Sequence, residues 1–149
     1  MPRYKYIMVA VDFSEHSLAS FRHAAALASD LGARLLLVNV IHQRDVDMMK
    51  RVAEQAPQFS FETHLKETVA ERESFFRELV KASPAGNLDI ATKVCIGYPF
   101  AELLKVIEKK KPDLLVMGVK GRSNLVETVI GSCAQKMFRR CPVPLLVIR

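Results

Sequence analysis

Glycine and proline are sparse in this chain, 6 and 7 among 149 residues, which excludes collagen-like and low-complexity classes. With 50% hydrophobic and 26% charged residues, the composition is also too apolar for intrinsic disorder. Cysteine is equally rare. Cys95, Cys133 and Cys141 lack metal-ligand spacing and leave an odd thiol in any pairing, so a disulfide scaffold is excluded and a reducing, cytoplasmic compartment is expected. No run approaches the ~18 apolar residues that cross a bilayer. The opening Met1-Pro2-Arg3-Tyr4-Lys5-Tyr6 leads into a strand-like segment without a signal-peptide pattern. A soluble protein without a membrane partner is expected. The four histidines, His16, His23, His42 and His64, have no HExxH spacing. No GxGxxG follows a strand-like run and GxxxxGK[ST] is missing, so zinc hydrolysis, dinucleotide-linked redox chemistry and ordinary P-loop hydrolysis all lack their usual motif.

What is present is a basic chain that folds around one core. Lysine and arginine exceed aspartate and glutamate by 22 to 16, a net charge of +6, which favours an anionic partner such as a nucleotide, a polyphosphate or nucleic acid. The densest basic run, Lys109 to Lys111, closes a predicted helix, where cations suit the dipole and solvent. The length fits a single domain over 1–149 that can bury roughly two-thirds of its unfolded surface without a staple.

Apolar runs alternate with helical periods. Tyr6 to Val11, Arg34 to Val40, Asp89 to Ile96, Leu114 to Met117 and Val143 to Ile148 read as strands, the third alternating enough for an edge. Between them, Leu18, Phe21, Ala25 and Ala28 mark a helix with Ser14 as its cap and Leu31-Gly32 as its stop. Phe100, Leu103, Leu104 and Ile107 mark another, broken by Pro112, and Ala134, Met137, Phe138 and Cys141 form the face of the last. The region of about 42–83 reads as an insertion plus the crossover helix: a weak stripe through Val46, Met49, Ala53 and Ala56 is cut off by Pro57, and a helix runs from about Glu62 to Ala82 whose apolar face Arg72 interrupts. Helices between successive strands predict an open, doubly wound α/β fold: five parallel strands, right-handed crossovers and helices on both faces.

In such a sheet, ligands bind beyond the carboxyl ends of the strands, which directs attention to Asp12, Val40, Gly97-Tyr98-Pro99 and Gly118 to Ser123. Nine residues separate Gly121 from Gly131-Ser132, near the start of the last helix. Glycines admit close approach of a ligand, helix-start amides offer donors to phosphate, Ser132 adds a hydroxyl and Arg122 a forked cation. A polyphosphate has what it needs there. Asp12 also reads as a cap of the first helix, and the two roles coexist at a strand-to-helix turn.

Taken together, Val9 to Ser14, Gly97-Tyr98-Pro99, Met117 to Ser123, Gly131-Ser132 and the ending Cys141 to Ile148 resemble the universal stress protein family over nearly the whole chain. The likeness is to its ATP-binding branch, whose pattern of Gly, two residues, Gly, nine residues, Gly and Ser or Thr is matched by Gly118, Gly121, Gly131 and Ser132. The resemblance implies a Rossmann-like fold with adenine near Val40 and the end of the first strand, Val11. It implies ribose near Asp12 and Gly118 and phosphates on Gly121, Arg122, Gly131, Ser132 and the Cys133 amide, with Met117 counted among the nucleotide-binding residues. Mg²⁺ would accompany the triphosphate, and no protein metal site is expected. The family often has His where Lys120 stands, and Val11 occupies a position that is commonly polar. The resemblance also implies a homodimer paired through Val143 to Ile148.

The expected function is that of an ATP-binding regulator in the stress response, responding through the loop from Gly118 to Gly131 and serving an unidentified protein partner. Apart from Asp12, the motif cradles phosphate without supplying a base, so slow or no hydrolysis is expected and no catalytic residue is assigned. The alternatives are a genuine ATP hydrolase or phosphotransferase using the same cradle, and a KH-like RNA-binding module suggested by GxxG in a basic chain. Placement argues against the latter, since a strand-like run precedes the motif.

Overall fold

Short apolar runs punctuated by caps and prolines become five parallel strands separated by helices. The structure, a computed structural model, describes residues 3–83, 87–119 and 130–149. The elements run β1 (Tyr6–Ala10), α1 (Glu15–Leu31), β2 (Arg34–His42), α2 (Gln43–Gln55), α3 (Phe61–Lys81), β3 (Ile90–Gly97), α4 (Pro99–Lys110), β4 (Leu114–Gly118), α5 (Ser132–Arg140) and β5 (Leu145–Ile148). The strand order is β3-β2-β1-β4-β5, with every pairing parallel. The doubly wound α/β expectation holds, and β3 is an edge strand as its alternation suggested. From β1 the chain winds outward to β2 and β3, then returns to add β4 and β5 on the other side. The reversal places a crevice between the carboxyl ends of β1 and β4.

Two apolar layers hold helices to the sheet. Ile7, Val9, Leu35, Leu37 and Val116 face Phe21, Ala24 and Ala28 of α1 and Phe76 of α3. Met8, Leu36, Val38, Leu115 and Met117 point the other way, onto Leu103, Val106 and Ile107 of α4 and Ala134 and Met137 of α5. Strand residues alternate between faces, so a continuous apolar run is what a doubly covered strand requires. The predicted punctuation is observed at α1, where the Ser14 hydroxyl accepts from Ser17 N–H and Gly32 ends the helix at φ 64°.

Several boundaries differ from the sequence reading. β2 continues past Val40 because its register with β3 persists through His42↔Gly97. His42 then opens α2, its Nδ1 accepting from Arg44 N–H at 3.1 Å. β5 begins at Leu145 rather than Val143: prolines flank Val143, and Pro144 supplies only its carbonyl, which accepts from Leu115 N–H at 2.9 Å. In α5, Ala134 and Met137 are buried but Phe138 is 54% exposed, since one helical step beyond Met137 turns it away from the core. The stripe in the 42–60 stretch is a full helix, α2, but Val46 is its buried residue.

Candidate functional site

The β1–β4 crevice is shaped first by how β1 ends. Val11 N–H donates to Val38 O at 2.8 Å, and the Val11 carbonyl accepts from the Asn39 side-chain Nδ2 at 2.7 Å. Asp12 follows in an Asx-type turn, its Oδ1 accepting from Ser14 N–H at 2.9 Å. Its own N–H donates to Ser17 Oγ at 3.2 Å, and that hydroxyl donates onward to Ser14 O at 3.1 Å. Phe13 adopts φ 64°, a left-handed conformation unfavourable for a bulky side chain. Ring contacts to Phe75 and Phe76 of α3, at centroid separations of 5.3 and 5.0 Å, oppose that strain.

Across the crevice, the register Val9↔Val116 sets the ends of β1 and β4 side by side, with Gly118 closing β4. A Cβ at Gly118 would lie 3.4 Å from both the His16 carbonyl oxygen and Ser20 Oγ, so the start of α1 lies against it. Val119 N–H donates to Ile148 O at 3.1 Å, while Val119 O accepts from Gly131 N–H at 2.8 Å. That second bond delivers the start of α5 to the end of β4. Gly131 stands at the N-cap without a side-chain acceptor, and the first turn of α5 contains no acidic residue. The amides at the start of this nine-residue helix therefore carry the positive end of its dipole toward the rim.

Burial pushes the Cys133 thiol up to about 11, opposed by Lys136 and reinforced by the charge of Asp12. Asp12 and the first turn of α5 thus share one electrostatic neighbourhood. The thiol stays protonated near neutrality and packs against the α4–α5 layer, which does not suit a nucleophile.

Of the residues singled out from the sequence, Asp12, Gly118, Gly131, Ser132 and Cys133 gather at this rim, whereas Val11 reaches it only with its backbone, its side chain being 3% exposed in the α1–α3 layer. Val40 stands on the neighbouring β2, half-buried against the α4–α5 layer. Met117 is 6% exposed with its side chain in that same layer, leaving its backbone for the rim. Gly121 and Arg122, with Lys120 and Ser123, lie outside the described residues. Sequence reasoning did not single out Ser17, Asn39 or Phe13. Asn39, a polar residue in an apolar run, carried a readable signal, but its partners are set by tertiary packing. Among the described residues no group of three or more His, Cys, Asp or Glu could hold a metal ion.

Residues 3–149 match the sequence model of the universal stress protein family. The chain belongs to the universal stress protein family. Its relatives include universal stress protein MJ0531 of Methanocaldococcus jannaschii, 28% identical over 146 residues that cover 98% of this chain and 82% of that protein. The solved structure of MJ0577, from the same organism, superimposes with a TM-score of 0.80 at 24% identity, covering 99% of this chain and 96% of that one, and supports the fold. A universal stress protein solved in complex with cAMP superimposes with a TM-score of 0.64 at 25% identity, covering 99% and 98% of the two chains. No described helix of this universal stress protein is long and apolar enough to cross a membrane.

Proposed function

We propose that this universal stress protein binds ATP at the β1–β4 crevice and works as a nucleotide-responsive regulator in the stress response. The observation that carries this reading is the Gly131–Val119 hydrogen bond, which holds the acid-free start of α5 at the end of β4 beside Asp12. Phosphate oxygens suit the helix-start amides of Ser132 and Cys133 and the Ser132 hydroxyl. Ribose hydroxyls suit the Asp12 carboxylate, and adenine suits the half-buried Val40 beside the end of β1, where Val11 contributes backbone only because its side chain is buried under α1. Gly121 and Arg122 would complete the phosphate grip. Because the phosphates repel the Asp12 carboxylate, magnesium would enter with the triphosphate and screen the two. The relative solved with cAMP adds an adenine nucleotide to the support for this reading.

Binding rather than turnover is favoured because Asp12 is engaged by the Ser14 amide in a structural turn, which suits holding a ligand better than moving protons. The glycine pattern begins on the last residue of β4, Gly118, unlike the helix–loop–helix setting of a KH module. A homodimer formed through Val143 to Ile148 and a cytoplasmic location belong to the same reading. Calorimetric titration with millimolar magnesium-ATP tests it: saturable heat is expected, and none at all would refute it. Steady hydrolysis on the order of 1 per second or faster would replace the binding reading with an enzymatic one.

A further inference from the structure

The residues before and after Asp12 are both tied to α3, by different chemistry. On one side, Asn39, 1% exposed within β2, donates from Nδ2 to the Val11 carbonyl at 2.7 Å and accepts at Oδ1 from Arg72 Nη1 at 3.1 Å. A guanidinium has donors and no acceptor, so Arg72 fixes which end of the amide faces it and leaves the donor end for Val11. The orientation of the Val11 carbonyl is thereby tied to α3. On the other side, Phe13 is held in its left-handed conformation against Phe75 and Phe76. Arg72, Phe75 and Phe76 occupy one short stretch of α3, so a single helix face grips both neighbours of Asp12. Arg72, which interrupts the apolar stripe of α3 in the sequence, has a use that the stripe does not explain.

We infer that α3 is a positioning clamp for the Asp12 carboxylate and that its seating sets how tightly the crevice holds the ribose of a nucleotide. The ribose part of this inference rests on the proposed nucleotide reading; the clamp itself does not. Arg72, Asn39 and Phe75 are positioning residues that act through Val11 and Phe13. Binding and α3 seating are then reciprocally linked, so a nucleotide that engages Asp12 tightens α3, and anything that lifts α3 weakens the nucleotide.

Three variants test the clamp: Arg72→Gln, Arg72→Lys and Phe75→Ala, all at half-buried or exposed positions where folding can be checked by circular dichroism. Without nucleotide, amide exchange at Asp12 and Ser14 should accelerate in Arg72→Gln and Phe75→Ala while Met8 and Leu115 remain protected. Unchanged exchange at Asp12 and Ser14 in both variants overturns the clamp. With nucleotide, the wild-type preference for ATP over its 2′- and 3′-deoxy analogues should fall roughly tenfold in Arg72→Gln, as expected for losing a hydrogen bond to a charged group. Arg72→Lys, which still donates to Asn39, should recover part of it. Tripolyphosphate affinity should not move. If wild-type protein binds no nucleotide, the nucleotide reading fails and the exchange experiment still decides the clamp. If it binds and the sugar preference is unchanged in every variant, the link between clamp and ribose fails while the nucleotide reading stands.

Discussion

At the scale of single residues, Cys133 reports the environment of the crevice. Its folded thiol lies at about 11 against an ordinary 9.0, chiefly through burial. Between those values the unfolded chain loses a proton that the folded chain keeps. The stabilisation is therefore complete below pH 9.0 and declines as pH rises toward 11. Its size is at most about 2–3 kcal/mol, from the energy of one pKa unit. Urea unfolding of wild type and Cys133→Ala should show the wild type losing more stability between pH 9.0 and 11; parallel losses would mean that the thiol does not carry this shift.

Gly97, at the end of β3, illustrates a backbone demand at the same scale. It adopts φ 149°, and a Cβ there would lie 2.6 Å from Glu102 Oε1 and 2.7 Å from its Cγ. Lys105 Nζ contacts that carboxylate at 3.1 Å, restraining its escape. Gly97→Ala should cost about 1–3 kcal/mol in chemical denaturation, the usual range for a strained backbone position. A change near zero would show that the turn relaxes freely.

At the scale of elements, local chemistry accounts for much of what forms. The Ser14 cap and Gly32 stop of α1 were readable because each satisfies helix-end groups using only its immediate neighbours. Ser14→Ala should cost about 1 kcal/mol and Ser14→Asp should retain most of the stability, as measured by thermal or urea unfolding. Equal losses in both variants would count against capping, because aspartate preserves the acceptor. The strand ends were less legible. β2 outruns Val40 because pairing with β3 continues, and β5 starts late because proline withholds donors. Spacing alone puts Phe138 on the apolar face of α5, whereas the angular step past Met137 leaves it exposed.

At the scale of the whole molecule, the crevice joins parts distant in sequence: Asp12 after β1, Gly118 ending β4 and Gly131 before α5. A ligand seated there should stabilise the fold globally. Magnesium-ATP at about 100-fold above its Kd should add about 2.7 kcal/mol, raising Tm by about 5–10 °C for a chain of this size. No shift despite saturation by calorimetry would mean that the unfolded chain binds equally well. β5 leaves one sheet edge open, with Leu145 to Ile148 only half-buried. Light scattering should give twice the 16.8 kDa chain mass, and a monomer at micromolar concentration would refute pairing through that strand.

What the sequence determined by itself was the set of elements and their layering. Period-two and helical hydrophobicity, caps and breakers are short-range properties, and burial on both faces leaves an unmistakable apolar run. It also pointed to Asp12 and Gly118 at strand ends and to Gly131 at a helix start, the places where an open α/β sheet has room for a ligand. Only the tertiary structure decided how Asp12 is held. Asn39 and Arg72 are 33 residues apart, and the Phe13 ring meets α3 across a still longer stretch of chain. Side-chain hydrogen bonds and ring contacts across such separations have no periodic imprint; they exist only once the sheet and its helices bring the partners together.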